Sequence, residues 1–354
     1  MKNLLRIVFF LLIILFAFLY LDPSIIENEM LEAPRMLDPL PTQNLNEIPV
    51  GVERPDEGVS VYISGSSEKW LSEFGMPDRI EPSAYGYEWW VYNQSYSNYV
   101  MAGVKNGSVV QVYTAGKAID AAPYEIGQTL EDIHRFTIVE NEVTVNFDDN
   151  IYTFSLTAED SNTRLLVDFE EIYVQLYIDR VDGTLEAVRF MNAETLIRHQ
   201  PYDMMFAGEL LPSEPPSSHL QESIDEANAK QIIDLTNIYR LFHQRKPLSH
   251  NLPVSKVAKE HAENLARRNY SPGASELKDL NTRLTEANID FEVAAENTAT
   301  QYLDAAEAVH GWINSPDHRE TMLNRDFNQI GVGVYGRHYA QSFLEREISA
   351  NEQQ

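Results

Sequence analysis

Along this chain the spacing of apolar residues changes several times, and each change marks an element. An unbroken apolar run of 15 residues spans Ile7 to Leu21, and Leu4 and Leu5 extend it across Arg6. That is short of the roughly 20 residues needed to cross a bilayer, but Arg6 can snorkel and the two leucines lengthen the segment. Lys2 and Arg6 precede the run and Asp22 follows it, a bias that keeps the N-terminus inside and the bulk outside. The stretch Phe16-Ala17-Phe18-Leu19-Tyr20-Leu21 offers no pair of small residues for cleavage. The expectation is a transmembrane signal-anchor helix over residues 1–21, single-pass in the cell membrane with an extracytoplasmic bulk. A cleaved signal, which would leave a secreted protein, and a buried core helix are the alternatives.

Residues 22–58 show no sustained apolar period. They hold six prolines and nine acids against two arginines. Proline fixes φ and removes a hydrogen-bond donor, so this stretch is expected to be an extended acidic spacer. The other reading is that it lies along a domain surface.

From 59 to 211 the alternation is that of strands. Val109-Val110-Gln111-Val112-Tyr113 follows an Asn106-Gly107 turn, and Ile172 to Ile178 precedes an Asp182-Gly183 turn and a further strand, Leu185 to Phe190. Short helix-like segments, Glu68 to Phe74 and Thr129 to Ile133, stand before each set, the pattern an internal duplication leaves. Seven aromatics between Tyr85 and Tyr99 read either as a carbohydrate-stacking platform or as strand packing. This region carries neither a nucleophile–base pair nor metal-ligand spacing.

A Pro/Ser break from Pro212 to Ser218 opens a linker, 212–222, and the period beyond it becomes helical over 223–346. Ile232, Leu235, Ile238, Tyr239 and Phe242 share one helix face; Val254, Val257, Ala258, His261 and Leu265 share another. Ala305 to Ile313 forms a third helix behind an Asp304 cap. Ile330, Val332 and Val334 alternate with glycines, Gly336-Arg337 turns the chain, and Tyr339, Gln341 and Phe343 alternate back as a hairpin. Helices layered on an antiparallel sheet make the fold class α+β, and residues 347–354 are a tail.

Composition narrows the chemistry. Lys+Arg 27 against Asp+Glu 54 gives a formal charge of −27, which repels phosphate backbones and argues against nucleic-acid partners. Zero cysteines exclude disulfides, thiolate zinc sites and a Cys nucleophile.

Three places carry candidate chemistry. Glu296-Asn297 follows Val293-Ala294-Ala295, which predicts a partly buried carboxylate. Ser315-Pro316-Asp317-His318-Arg319 reads as a helix start with Ser315 as N-cap, placing His318 near the positive end of the helix dipole and favouring a neutral imidazole. A neutral imidazole can bind a metal or accept a proton. His338 begins the final strand. A structural role is open for each of these residues. His261 and His310, on helices near apolar positions, are read as interior or surface histidines rather than ligands.

Together these segments resemble the bacterial branch of the CAP superfamily (cysteine-rich secretory, antigen 5 and pathogenesis-related proteins). Ala295-Glu296-Asn297-Thr298-Ala299 resembles the GENxA motif with Ala for the first Gly. Trp312 to Arg319 is similar to W-x-x-S-P-x-H-R, and Ile330 to Val334 with Tyr339 to Phe343 is similar to the closing hairpin. The preceding β-rich region resembles the CAP-associated N-terminal domain. The resemblance implies a C-terminal α-β-α sandwich with a cleft lined by His and Glu, which in some members binds a divalent metal. Carried over, the cleft would comprise Glu296, Asn297, His318 and His338. Glu296 and His318 would be the catalytic candidates, and Glu296, His318 and His338 the metal candidates, with zinc the expected ion. The family's Y-F-S-H-x-S-P stretch reads here Asn269-Tyr270-Ser271-Pro272-Gly273, without its histidine. The leading expectation is therefore a membrane-tethered binding module of the cell envelope for a lipid, glycan or protein partner. A hydrolase of peptide or glycan bonds using Glu296 and His318 is the rival, and a scaffold role a third reading.

Overall fold

The computed structural model describes residues 24–42, 52–211, 215–270 and 277–346. The chain enters with β1 (Ser24–Glu27), β2 (Leu31–Glu32) and β3 (Leu40–Pro41), then winds through α1 (Ser67–Phe74). A first meander follows: β4 (Arg79–Pro82), β5 (Glu88–Tyr92), β6 (Val100–Lys105) and β7 (Ser108–Thr114). After α2 (Leu130–Phe136), the hairpin β8 (Glu142–Phe147) and β9 (Asn150–Ser155), and the one-turn α3 (Asp160–Thr163), a second meander runs through β10 (Arg164–Phe169), β11 (Ile172–Asp179) and β12 (Thr184–Asn192). The two meanders fuse at β12–β7 into a seven-stranded sheet, β10-β11-β12-β7-β6-β5-β4. Helix α4 (Ala193–His199) and β13 (Asp203–Ala207) complete the region, β13 entering a small sheet with β9, β8 and β3.

The second region opens with α5 (Ser218–Phe242), capped by the Ser217 hydroxyl on the Leu220 N–H. It continues through β14 (Ser249–His250), α6 (Leu252–Tyr270), α7 (Leu280–Glu286), β15 (Val293–Thr300), α8 (Ala305–Ile313), α9 (Pro316–Leu323), β16 (Gln329–Tyr335) and β17 (His338–Glu345). The expected Asp304 cap is present, its carboxylate accepting from the Glu307 N–H. β15 and β16 flank β17 in antiparallel register, Glu296 opposite Ser342 and Val332 opposite Gln341. Alternation sends successive residues to opposite faces. Ala295, Ala299, Tyr339 and Phe343 pack with α5 and α8, whereas Ala340 packs on Ala258 and Ala262 of α6. Gly333 is what lets α6 approach: a Cβ there would lie 1.9 Å from the Lys259 amide nitrogen. The sheet is thus enclosed between helices on both sides, an α-β-α sandwich.

Two expectations change. Residues 24–32 do not stand clear as a spacer: β1 pairs in parallel with β15, Glu27 opposite Glu296, and β2 pairs with Ala299 and Thr300. An unpaired strand edge is a row of open donors and acceptors, and this segment satisfies it. The transmembrane part of the expected fold class is also corrected. Among the described residues no helix is long and apolar enough to cross a membrane. The longest, α5, carries Asp225, Asp234 and Arg240 along its length, an amphipathic distribution that hydrocarbon would not accept. The expected anchor, 1–21, and the tail, 347–354, lie outside the described residues.

The aromatic run from Tyr85 to Tyr99 turns inward. Tyr87, Trp89 and Tyr99 are buried in one core with Ile232, Leu235, Ile238 and Tyr239 of α5, so apolar burial joins the two regions. Ion pairs bridge the same interface. Arg79 meets Asp234 at 2.7 Å, Arg164 meets Glu307 at 2.6 Å and Arg189 meets Asp304 at 2.7 Å.

Candidate functional site

Because Glu296 and Asn297 are neighbours on one strand, they face opposite layers. Glu296 is 2 % exposed and points toward α6 and α7. There Arg283 grips its carboxylate with both terminal nitrogens, at 3.0 and 2.6 Å, and the Ser342 hydroxyl donates to it at 2.8 Å. His261 Nε2 stands 3.4 Å from the same carboxylate. Burial alone would push the Glu296 carboxyl up, but the bonds and charge of Arg283, with His261 and Ser342, outweigh it and hold it below its ordinary value. Arg283 also reaches Glu27 of the entering segment at 3.0 Å. His261 is held neutral chiefly by burial, which pushes its pKa down.

Asn297 faces α9. Its amide donates to the His318 carbonyl at 3.0 Å and accepts from Asn28 at 2.7 Å. His318 sits at the third position of α9 as expected, but Ser315 makes no cap bond to the backbone. The Ser315 hydroxyl lies instead 2.8 Å from His318 Nδ1, while His318 Nε2 lies 2.9 Å from the Glu29 carbonyl. A carbonyl only accepts, so Nε2 carries the hydrogen and Nδ1 takes the Ser315 proton. Both ring nitrogens are engaged. Burial, partly offset by the bond to Glu29, lowers the His318 pKa and keeps the ring neutral. His338 faces the same side of the sheet as Glu296, but pairs with Thr300, four residues along β15 from Glu296. At about 3.4 Å per residue that separates their strand positions by roughly 13 Å.

The structure therefore does not gather Glu296, His318 and His338 around a common ion position. It brings Glu296 to His261 and Arg283 instead. The sequence reading set His261 aside and did not single out Arg283. A signal existed for both: each sits on the apolar face of its helix, His261 beside Ala258 and Ala262, Arg283 between Leu280 and Leu284. Beyond them opens a cavity of about 750 Å³, lined by Lys256, Arg267, Arg268, Lys278, His261 and Arg283, with Glu260 and Glu286 as its acids. In a chain of charge −27 this is a cation-rich lining.

A metal-capable donor set lies elsewhere. Asp179, Glu186 and His243 present three ligand atoms within 4.8 Å of one another, a largely buried Asp/Glu/His cluster able to coordinate a divalent cation.

Residues 63–202 match the CAP-associated N-terminal family model, and residues 233–344 match that of the cysteine-rich secretory protein family. A Bacillus subtilis (strain 168) protein described as the uncharacterized membrane protein YlbC is 35% identical over 349 residues, covering 98% of this chain and 100% of its own. This chain belongs to the CAP family. An extracellular SCP-domain protein from Bacillus anthracis str. Ames has a crystal structure with TM-score 0.78 at 36% identity, covering 86% of this CAP chain and 100% of its own. A cysteine-rich secretory protein (SAV1118) from Staphylococcus aureus superposes with TM-score 0.73 at 25% identity, covering 88% and 100%. The expected single-pass placement in the cell membrane, and the membrane as a partner, are corrected to what is seen: among the described residues no helix is long and apolar enough to cross a membrane, and the Bacillus anthracis relative is described as extracellular.

Proposed function

We propose that this CAP protein is a binding module acting outside the cytoplasm, and that its cavity takes a small ligand with an acidic group. The observation that supports this is the state of the two residues a hydrolase would need. A general base must present an available carboxylate to substrate, and Glu296 is held by Arg283 and Ser342. A histidine acid or base needs an available ring nitrogen, and both nitrogens of His318 are engaged within the chain. The cationic lining of the cavity supplies the sign of the ligand. An anionic lipid headgroup and an acidic glycan share this chemistry.

Lys256 and Arg268 are the residues to reverse, because among the described residues neither makes an ion pair. Isothermal titration of the purified chain with small carboxylates and phosphates is expected to show binding that Lys256→Glu with Arg268→Glu weakens at least about tenfold, about 1.4 kcal/mol. Folding stability should stay within about 0.5 kcal/mol of wild type. Affinity unchanged by the reversal sinks the acidic-ligand reading. Turnover of a peptide or glycan that Glu296→Gln abolishes at unchanged stability favours the hydrolase instead.

A further inference from the structure

The buried cluster at Asp179, Glu186 and His243 is assembled from both regions. Asp179 ends β11 and Glu186 lies on β12, within the CAP-associated match, while His243 caps the C-terminus of α5, within the CAP match. The hairpin register explains how Glu186 gets there. Tyr177 pairs with Ala187 and Ile178 with Leu185, so Glu186 is the extra residue of a β-bulge. Bulges re-aim a side chain, and this one turns a carboxylate that is 3 % exposed toward a partner that is 0 % exposed, Asp179.

Two buried carboxylates facing one another need something positive between them. Arg319 supplies part of it, pairing with Asp179 at 2.6 Å and with Asp182 at 3.5 Å. Asp182 is half exposed, so the two buried carboxylates, Asp179 and Glu186, stand against one guanidinium, and the buried charge left over, −2 + 1 = −1, calls for a further positive partner, a proton or a cation. Glu186 Oε2 is buried with no hydrogen-bond partner, although nearly all such atoms in folded proteins have one. His243 Nε2 lies 3.3 Å from Glu186 Oε1 and 3.5 Å from Asp179 Oδ2. Both separations are close to what two ligands about 2.0–2.1 Å from a shared ion would have in tetrahedral coordination, roughly 3.4 Å. The C-terminal end of α5, with its partial negative charge, adds to a field that favours a cation.

We propose that Asp179, Glu186 and His243 bind one divalent cation of the zinc class, and that this ion clamps the CAP-associated region to the CAP domain. One imidazole and two carboxylates suit zinc, cobalt or manganese better than magnesium or calcium, which prefer all-oxygen shells. Asp179 then serves both the ion and Arg319, whose guanidinium orients it from outside, and the bulge positions Glu186.

The test is titration of the metal-free full chain with Zn²⁺, and with Co²⁺ followed by visible absorption. One ion per chain is expected, raising the melting temperature by at least about 5 °C at a 100-fold excess over Kd. His243→Gln should weaken binding at least ~100-fold and cancel the thermal shift, as should Glu186→Gln, while His261→Gln leaves both intact. Because His243 lies at a helix end, Glu186→Gln guards against a folding defect: it keeps the size of the side chain and removes only charge. Binding that survives both cluster variants, loss with His261→Gln, or no bound ion at micromolar concentration overturns the proposal.

Discussion

The two faces of β15 differ more than adjacent residues usually do. Toward α6 and α7, Glu296 enters an ionic cluster with Arg283 and His261 and borders a cation-lined cavity. Toward α9, Asn297 enters a neutral net with His318 and Asn28, on the side where α5 and α8 pack against the seven-stranded sheet. One face borders the cation-lined cavity; the other carries the docking surface for the CAP-associated region. A period-two strand creates that contrast automatically. It also means that a Glu-Asn pair in a family motif does not serve one site.

The largest expected effect tests the ionic face. Arg283→Met leaves the Glu296 carboxylate buried without its counter-charge, which costs about 3–5 kcal/mol. Replacing both partners, Arg283→Met with Glu296→Leu, should recover most of that, because two apolar side chains need no pairing. Urea denaturation of the two variants measures the difference. A single variant within about 1 kcal/mol of wild type would show that Glu296 does not depend on Arg283, and the contrast between the faces would fail.

On the docking face the expected cost is smaller. Asn297→Ala removes three hydrogen bonds, those to the His318 carbonyl and Gln341 and the one from Asn28, for about 1–3 kcal/mol. The same denaturation assay reads it. If Asn297→Ala costs more than Arg283→Met, the neutral net rather than the ion cluster anchors β15.

These contrasts explain what could be read from sequence. Helix and strand positions were legible wherever the period was local, as in the glycine-alternating hairpin of β16 and β17 or the Asp304 cap. The placement of His318 at the third position of α9 followed from Ser315-Pro316. Contacts between distant segments were not legible. Glu27 reaches Arg283 across 256 residues, and Asn28 reaches Asn297 across 269. Nothing in an acidic, proline-rich stretch says that its backbone will pair with a strand edge so far along the chain. The aromatic run gave its burial by composition but not its partner, α5. The bulge that aims Glu186 is a one-residue register shift, which alternation alone does not encode.

The smallest expected effect extends the docking side to the domain interface. His310 on α8 lies buried against Tyr177 of the seven-stranded sheet, ring centroids 5.0 Å apart, and its Nε2 donates to the Thr163 carbonyl at 2.9 Å. Burial lowers its pKa to about 4, with Glu307 pulling up and Arg164 pulling down. In the unfolded chain a histidine takes its proton near pH 6.5. The unfolded state therefore binds more protons as pH falls through that value, so the contribution of His310 is complete above about pH 6.5. It is lost progressively toward pH 4. Between pH 7 and 5.5 the loss is about 1 kcal/mol. Glutamine at position 310 keeps an N–H for Thr163 but cannot take a proton in this range. Chemical denaturation at the two pH values should therefore show His310→Gln losing about 1 kcal/mol less than wild type over the interval. Equal losses would assign the acid sensitivity to other groups and leave His310 as packing alone. A difference would show that protonating His310 weakens the packing of α8 against the seven-stranded sheet.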